Sequence, residues 1–342
     1  LSSRSFVISS SNSTSRTPFA ASCLKTTQPS WFYVMVVVTV LLFTELKHTF
    51  TELAQRMKND EMITLAKFLA ISGIILPMLP NENLIPDINL TPYTVWLATV
   101  VVSGISYLSY LLRRYVFHES GILVSGIIGG LYSSTATISV LARKSRKAPA
   151  QEAPEYAAAM LLAVSMMFLR FLILIGIFSK AILAEIYPYL LIMSFVTAGV
   201  AWYLHQKRKS IPVTGEEAEE EDSSNPLEFK VALIFAVLFV IFTIVTHYTL
   251  IYTGTGGLNV LSFIAGLSDI TPFILNLLQG SGVAVVVVTA CCMQAIVSNI
   301  AVNMCYALFF AGGKSPLRRW VLRGFGGVIA VNVCLLLFFY LL

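Results

Sequence analysis

Polar residues inside apolar segments of this sequence are of types that suit the binding of an ion or a small polar solute. The first group is Ser133-Ser134-Thr135 together with Asp269 and Thr271. A carboxylate at membrane depth is costly and usually marks a path for an ion or a proton. Carboxylates and hydroxyls also cap helix N-termini, so Asp269 has two interpretations, a solute site or a helix cap alone.

The second group is Arg170 with Asn299 and Asn303. Arg170 lies too far from either end of its apolar segment to reach water easily, so it needs an acceptor, and Asp269 is a natural candidate. Asn299 and Asn303 are four residues apart, so a helix places them on one face. Contact with a solute and simple hydrogen bonding between helices both remain open. The predicted solute- or ion-binding residues are Ser133, Ser134, Thr135, Arg170, Asp269, Thr271, Asn299 and Asn303.

No signature of an enzyme is present, so we predict no catalytic residue and no cofactor. The sequence contains no P-loop, no Rossmann glycine motif, no His-Glu-x-x-His and no Gly-x-Ser-x-Gly. None of the five cysteines has metal-ligand spacing with histidine, so no metal site is predicted either. The net charge of +5 is small and falls in loops, which suits a membrane surface better than nucleic acid.

The composition is that of an integral membrane protein. Of the 342 residues 56% are hydrophobic and only 12% are charged, about half the charged share of a soluble domain. The hydrophobic residues form continuous blocks, many of them long enough to cross about 30 Å of hydrocarbon as a helix. We therefore predict an all-α fold, a polytopic transmembrane helical bundle. Its roughly ten apolar segments are 31–46, 63–79, 94–112, 121–142, 156–179, 183–204, 229–251, 257–279, 282–312 and 317–342.

The remaining composition divides the chain. Residues 1–30 are rich in Ser and Thr, and we interpret them as a disordered leader or as the product of a truncated or misframed gene start. Residues 31–90 are predicted to form two N-terminal transmembrane helices. A charged linker at 207–225 separates two further membrane regions, 91–206 and 226–342.

These two membrane regions resemble each other. The stretch 121–131 aligns with 257–267 at an offset of 136, and the alignment continues with Ser133 over Asp269. Each copy follows one long apolar segment and precedes two more. We therefore predict an internal repeat of the kind typical of transporters, with chance similarity among glycine-rich helices as the alternative.

Loop charges favour one topology over another. If all ten segments cross the membrane, the 21 loop Lys and Arg residues divide 11 to 10, and no orientation follows. If segments 121–142 and 257–279 return to the side they left, the division becomes 17 to 4. We therefore predict two broken, re-entrant helices, which give each repeat three full crossings and make the repeats inverted. A straight helix with a glycine-softened middle is the alternative.

Helix-start signals refine this prediction. Thr135 and Thr271 are the expected N-caps of the second half of each broken helix, and Pro272 is expected at the first helical position. Thr91-Pro92 and Asn225-Pro226 open two other segments in the same way.

Several short motifs resemble a known bacterial family. They are Gly-Gly-Leu-Tyr-Ser-Ser-Thr-Ala-Thr (129–137), Met-Phe-Leu-Arg (167–170), Asn-Pro-Leu-Glu-Phe-Lys (225–230), Gly-Leu-Ser-Asp (266–269) and Ser-Asn (298–299). In order and spacing they are similar to the conserved membrane-protein domain of unknown function found C-terminal to MgtC/SapB domains. The resemblance covers about 60–342, and the MgtC/SapB-like part is largely missing apart from a last helix at 31–56. It implies a membrane protein linked to magnesium or ion homeostasis.

Together these features predict a multi-pass protein of the bacterial inner membrane that transports or conducts an ion or small polar solute. The tips of the broken helices, 130–137 and 266–272, are expected to meet at the midplane beside Arg170 and Asn303. The alternative is a non-transporting regulator that binds another membrane protein through a polar seam. Expected partners are the lipid bilayer, the ion or solute, and a second copy of the chain or another membrane protein, with no nucleic acid.

Overall fold

The structure is a computed structural model in which the chain divides into two units, 1–62 and 63–342. It describes residues 59–83, 88, 90–112, 121–207, 229–279, 283–313 and 315–341. The predicted leader 1–30, the apolar segment 31–46, nearly all of the linker 207–225 and the predicted cap at Asn225-Pro226 lie outside these residues. Of the first unit only 59–62 are described, and all other described residues belong to the second.

The described residues form nine α-helices and one short 3₁₀ helix, and no strand. This confirms the all-α prediction. The helices are α1 (Asn59–Met78), α2 (Pro92–Leu111), α3 (Ile122–Lys144), the 3₁₀ helix (Ala150–Glu152), α4 (Ala153–Phe178), α5 (Lys180–Gln206), α6 (Phe229–Ala265), α7 (Ile270–Leu278), α8 (Val285–Ala311) and α9 (Leu317–Leu341).

Seven helices of the described chain are long and apolar enough to cross a membrane by length and composition. They are α2, α3, α4 with its preceding 3₁₀ turn, α5, α6 from Ala232 onward, α8 and α9. These helices indicate a multi-pass membrane protein. Large apolar side chains such as Phe195, Tyr252 and Phe338 lie exposed on their outer faces, where lipid rather than water is the compatible solvent.

The start of α2 illustrates how the sequence sets helix boundaries. Thr91 is the N-cap, and its hydroxyl accepts a hydrogen bond from the backbone N–H of Thr94 at 3.1 Å. The Thr94 hydroxyl accepts from the Thr91 N–H at 3.3 Å, which completes a reciprocal capping box. Pro92 occupies the first turn, where its missing N–H is no loss. The predicted start at Thr91-Pro92 is confirmed.

The first half of α4 is deeply buried in the second unit. Residues 157–161 of this helix are completely buried. A Cβ on Gly126 would collide with the backbone of Ala159, and one on Gly130 would collide with that of Ala163. The small residues therefore let the backbones of α3 and α4 approach closely, as transmembrane helices do where they associate.

Helix α3 is not straight but folds back on itself. Ser133 has extended backbone angles (φ −158°, ψ 108°) between two helical stretches. A Cβ on Gly129 would lie only 3.2 Å from the Cβ of Thr137. In a straight helix residues eight apart are separated by about 12 Å. The halves 122–132 and 134–144 therefore lie side by side as a helical hairpin, and a straight helix is excluded.

Helix α6 also changes direction, at Gly254. This glycine has a positive φ of 63° and a ψ of −154°, a conformation that residues with a side chain rarely adopt. A second helical stretch continues to Ala265, so the chain breaks at 254 and again at 266–269. The break at 254 falls between the predicted segments 229–251 and 257–279, and the break at 266–269 divides the second of them, as predicted.

Contacts of α7 fix the path of the chain after Gly254. The Phe273 and Phe242 rings lie 5.5 Å apart, and the Asn276 amide donates to the Thr246 hydroxyl at 2.9 Å. Because these contacts occur in the same order along both elements, α7 runs in the same direction as the first part of α6. The stretch between Gly254 and α7 must run in the opposite direction, so α7 and the end of α6 form a second helical hairpin.

Candidate functional site

The second half of each hairpin is capped at an equivalent position. In α3 the hydroxyl of Ser133 accepts a hydrogen bond from the N–H of Ala136 at 3.3 Å. In the second hairpin the Asp269 Oδ1 accepts from the N–H of Thr271 at 3.0 Å. Positions 133 and 269 differ by 136, which is the offset between the two similar stretches of sequence. The same place in each copy therefore starts a half-helix.

The predicted caps were wrong by two residues in both hairpins. Thr135 and Thr271 lie inside the first turn, and Asp269, not Thr271, is the N-cap of α7. With the cap at 269, Pro272 falls at the third helical position rather than the first. An N-terminal proline is still tolerated there, because the N–H groups of the first turn have no intrahelical acceptor.

At each break, backbone carbonyls at the end of the first half-helix accept hydrogen bonds from a side chain of the helix that follows the hairpin. Arg170 of α4 donates from Nη1 to the carbonyl of Tyr132 at 2.8 Å. Asn299 of α8 donates from Nδ2 to the carbonyls of Gly266 at 3.2 Å and Ser268 at 3.3 Å. Tyr132 and Ser268 are again 136 positions apart. Backbone carbonyls at membrane depth need such donors, because no helical N–H reaches them.

Arg170 therefore has a different hydrogen-bond partner from the one predicted. Besides the Tyr132 carbonyl it makes a weaker contact from Nη2 to the Ser106 hydroxyl at 3.4 Å. Asp269, the predicted partner, lines the same cavity and attracts the Arg170 charge. The guanidinium thus stabilises the end of a half-helix and also places a positive charge near Asp269.

A short hydrogen-bond chain connects the two hairpins. The Thr135 hydroxyl donates to the Asn303 Oδ1 at 2.9 Å, and the Asn303 Nδ2 donates to the Asn299 Oδ1 at 3.1 Å. Asn299 in turn donates to the carbonyl of Gly266. Since Asn303 is fully buried, this chain is part of the packing between α3 and α8.

A cavity of about 420 Å³ lies where the two breaks meet. Asp269 is exposed within it. Of the eight predicted residues, only Asn303 does not line the cavity, and it is hydrogen-bonded to Thr135, which does. The structure therefore brings together all eight residues that the sequence analysis selected. Those that line the cavity are Ser133, Ser134, Thr135, Arg170, Asp269, Thr271 and Asn299.

Several polar lining residues were not selected from the sequence. Ser103 and Ser106 come from α2, and their spacing of three on an apolar helix was a usable signal that they share one face. Tyr132 and Ser268 directly precede the caps, and nothing in the glycine-rich motifs around them indicated that they line a cavity. Tyr306 of α8 closes the set.

The rest of the wall is apolar, so the polar groups are concentrated at the breaks. In the part of the chain that the structure describes, no group of three or more His, Cys, Asp or Glu side chains could hold a metal ion. The apolar lining residues are Val102, Met167, Phe171, Ile234, Phe235, Leu238, Leu267, Ile270 and Val302.

The family model of a domain of unknown function, DUF4010, matches residues 100–311, which is more than half of the chain. The chain belongs to the DUF4010 family. The DUF4010 match contains both breaks and all eight selected residues, so the cavity lies within the family domain.

One relative with a similar sequence is an uncharacterized protein from Aquifex aeolicus (strain VF5). It is 26% identical over 201 residues, which cover 56% of this chain and 84% of the relative. No solved structure matches the chain. The suggested link between this DUF4010 domain and MgtC/SapB proteins stays a prediction.

Proposed function

We propose that this DUF4010 protein transports or conducts an ion or a small polar solute across a membrane. The observation that carries the proposal is the cavity at the two breaks, where Arg170 and Asp269 lie among apolar helices. Non-helical backbone at membrane depth is tolerated where it is buried in protein or lines a water-filled cavity. Ionisable residues at that depth usually mark a solute or ion path.

An inverted repeat is the architecture we propose for this function. Two pairs of equivalent positions support it. Residues 133 and 269 cap the second half-helices, and the carbonyls of 132 and 268 accept side-chain hydrogen bonds. If each hairpin returns to the side it left, each repeat has three full crossings and the two repeats have opposite orientations. Repeats of this kind allow a central site to open to either side in turn.

The cellular setting follows from the sequence resemblance. Similarity to domains found C-terminal to MgtC/SapB favours the bacterial inner membrane and a role in ion homeostasis, including that of magnesium. This part of the proposal depends on the motifs alone, and the cavity does not require it.

Reconstitution tests transport directly. The full chain is placed in liposomes, and stopped-flow light scattering follows volume changes under gradients of glycine, urea, glycerol or salts, the salts in the presence of an ionophore that carries the counter-ion. We expect at least one of these solutes to cross faster than in empty vesicles. Asp269→Asn and Arg170→Ala are expected to abolish that flux while the protein still reaches the membrane.

Matched controls come from the start of α5, where Lys180 and Glu185 are exposed. Lys180→Gln and Glu185→Gln remove the same charges outside the cavity and are expected to leave flux unchanged. Normal flux in both cavity variants would contradict the site. No flux for any solute, with one stoichiometric membrane-protein partner recovered on mild extraction, would instead favour a non-transporting regulator.

A further inference from the structure

We infer that the solute held at this cavity is a small anion. This inference rests on the transport function proposed above and names its substrate class. It is based on which hydrogen-bond donors and acceptors around the breaks already have partners within the protein and which do not.

The acceptors around the breaks are largely occupied by the protein itself. The carbonyl of Tyr132 accepts from Arg170, and the carbonyls of Gly266 and Ser268 accept from Asn299. The side-chain oxygens of the two asparagines are used as well, because Asn299 accepts from Asn303 and Asn303 accepts from Thr135. A cation, which needs oxygen ligands, would compete with these donors for the same oxygens, and Asp269 is the one lining carboxylate that could bind it directly.

Donors, in contrast, are left without protein partners. The Nε–H of Arg170 is buried without a hydrogen-bond partner, although this residue lines the cavity. The breaks at Ser133 and Asp269 also leave the first N–H groups of two half-helices without intrahelical acceptors. Both half-helices begin at the cavity, and N-termini of this kind favour negative charge.

The one carboxylate among the lining residues, Asp269, offsets the positive charge of Arg170 when no solute is bound. Asp269 caps its half-helix through Oδ1 and attracts the charge of Arg170, so it acts as an internal counter-charge. An anion entering the cavity takes over the interaction with Arg170 and the free donors. A divalent cation would meet Arg170 with a single carboxylate to offset it, which is unfavourable in a low-dielectric site.

Charge neutralisation at the two residues has opposite expected effects on binding. Asp269→Asn keeps a good N-cap, since asparagine caps helices about as well as aspartate, and it removes the negative charge. Its affinity for the anion is expected to rise roughly tenfold or more, because a unit repulsion at short range is lost. Arg170→Gln is expected to lower that affinity by at least about tenfold.

The probes are simple salts added to purified full-length protein in nanodiscs. Chloride, nitrate, acetate or phosphate replaces a bulky sulfonate at constant sodium concentration, and the shift of the unfolding temperature with concentration gives the apparent affinity. A second arm varies potassium or magnesium as sulfonate salts. Glu185→Gln and Lys180→Gln serve as charge-matched controls outside the cavity.

An anion-dependent shift that Asp269→Asn strengthens and Glu185→Gln leaves unchanged supports the inference, and it does so even if Arg170→Gln fails to fold. A cation-dependent shift that Asp269→Asn removes overturns the anion assignment. If no anion shifts the unfolding temperature while wild-type vesicles still pass a solute faster than empty ones, the substrate class is wrong and transport stands. If neither binding nor flux is observed, both proposals fall.

Tighter binding in Asp269→Asn is compatible with its expected loss of flux. A site that holds its anion more strongly releases it more slowly. In this variant the empty site also lacks the negative charge that offsets Arg170. A purely structural role for Asp269 does not produce stronger binding together with weaker flux, because asparagine keeps the helix cap and would leave both unchanged.

Discussion

The hydroxyl of Thr135 donates to the side-chain oxygen of Asn303 at 2.9 Å, across 168 residues of chain. The bond joins the first hairpin to the helix that closes the second, because Asn303 also donates to Asn299. The two halves of the domain are therefore linked at their breaks by side chains, in addition to the packing of their helices.

This link is expected to contribute measurable coupling energy. Thr135→Val and Asn303→Leu each remove one partner, and a double-mutant cycle by unfolding in mixed detergent isolates their interaction. We expect a coupling of about 0.6 to 1.7 kcal/mol, between the average and the maximum measured for hydrogen bonds between transmembrane helices. Strictly additive single effects would contradict a direct bond between the two side chains.

The hairpin of α3 depends on the absence of a side chain at Gly129. Because a Cβ there would overlap Thr137, Gly129→Ala is expected to destabilise the fold by about 1 to 3 kcal/mol. Gly199 of α5 has nothing within 4 Å of a built Cβ, so Gly199→Ala is the matched control and is expected to be neutral or slightly stabilising. Unfolding in mixed detergent compares the two. Equal effects would mean that the halves of α3 do not touch at 129.

Cysteine labelling from each side of the membrane tests the proposed inverted repeat. In a background without the five native cysteines, probes are placed at the exposed residues Gly121, Lys147, Gly256 and Ala284. We expect Gly121 and Lys147 to label from one side, and Gly256 and Ala284 from the other. If either pair splits across the membrane, that hairpin is not re-entrant and the repeats are not inverted.

Buried polar groups far from the cavity are expected to behave differently from the cavity residues. The Tyr189 hydroxyl donates to the Asn332 Oδ1 at 2.5 Å between α5 and α9, and neither residue lines the cavity. Tyr189→Phe leaves the Asn332 oxygen without this donor and is expected to lower stability by about 1 to 2 kcal/mol. Flux per folded molecule in liposomes should not change. A loss of flux in this variant would extend the functional region beyond the cavity.

The sequence predicted the breaks because several independent signals coincide there. Small residues, hydroxyls and Asp269 occur at equivalent places in two stretches, and the loop charges favour a topology in which each of these segments returns to the side it left. These signals act at the scale of whole segments. They located the broken regions and the eight residues that the structure gathers around one cavity.

The individual caps were not predictable from residue type. Ser133, Ser134 and Thr135 are all good N-cap residues, as are Asp269 and Thr271, so composition alone cannot select among them. The choice depends on where the backbone turns to let the two half-helices pack. That position is set by contacts such as the one between Gly129 and Thr137, which are distant in a straight helix.

The acceptor of Arg170 was missed for a related reason. The guanidinium is bonded to the backbone carbonyl of Tyr132, and a carbonyl freed by a helix break has no side-chain signature. The sequence predicted Asp269 as the partner because it carries the opposite charge.

The close seating of Gly126 and Gly130 on α4 has a mechanical consequence. The backbones of Ala159 and Ala163 lie directly against these glycines, so the first half of the α3 hairpin has little room to shift on α4. We therefore expect the two elements to move together. If the proposed transport requires a displacement within the domain, we expect it where helices meet through side chains, as Thr135 and Asn303 do between α3 and α8.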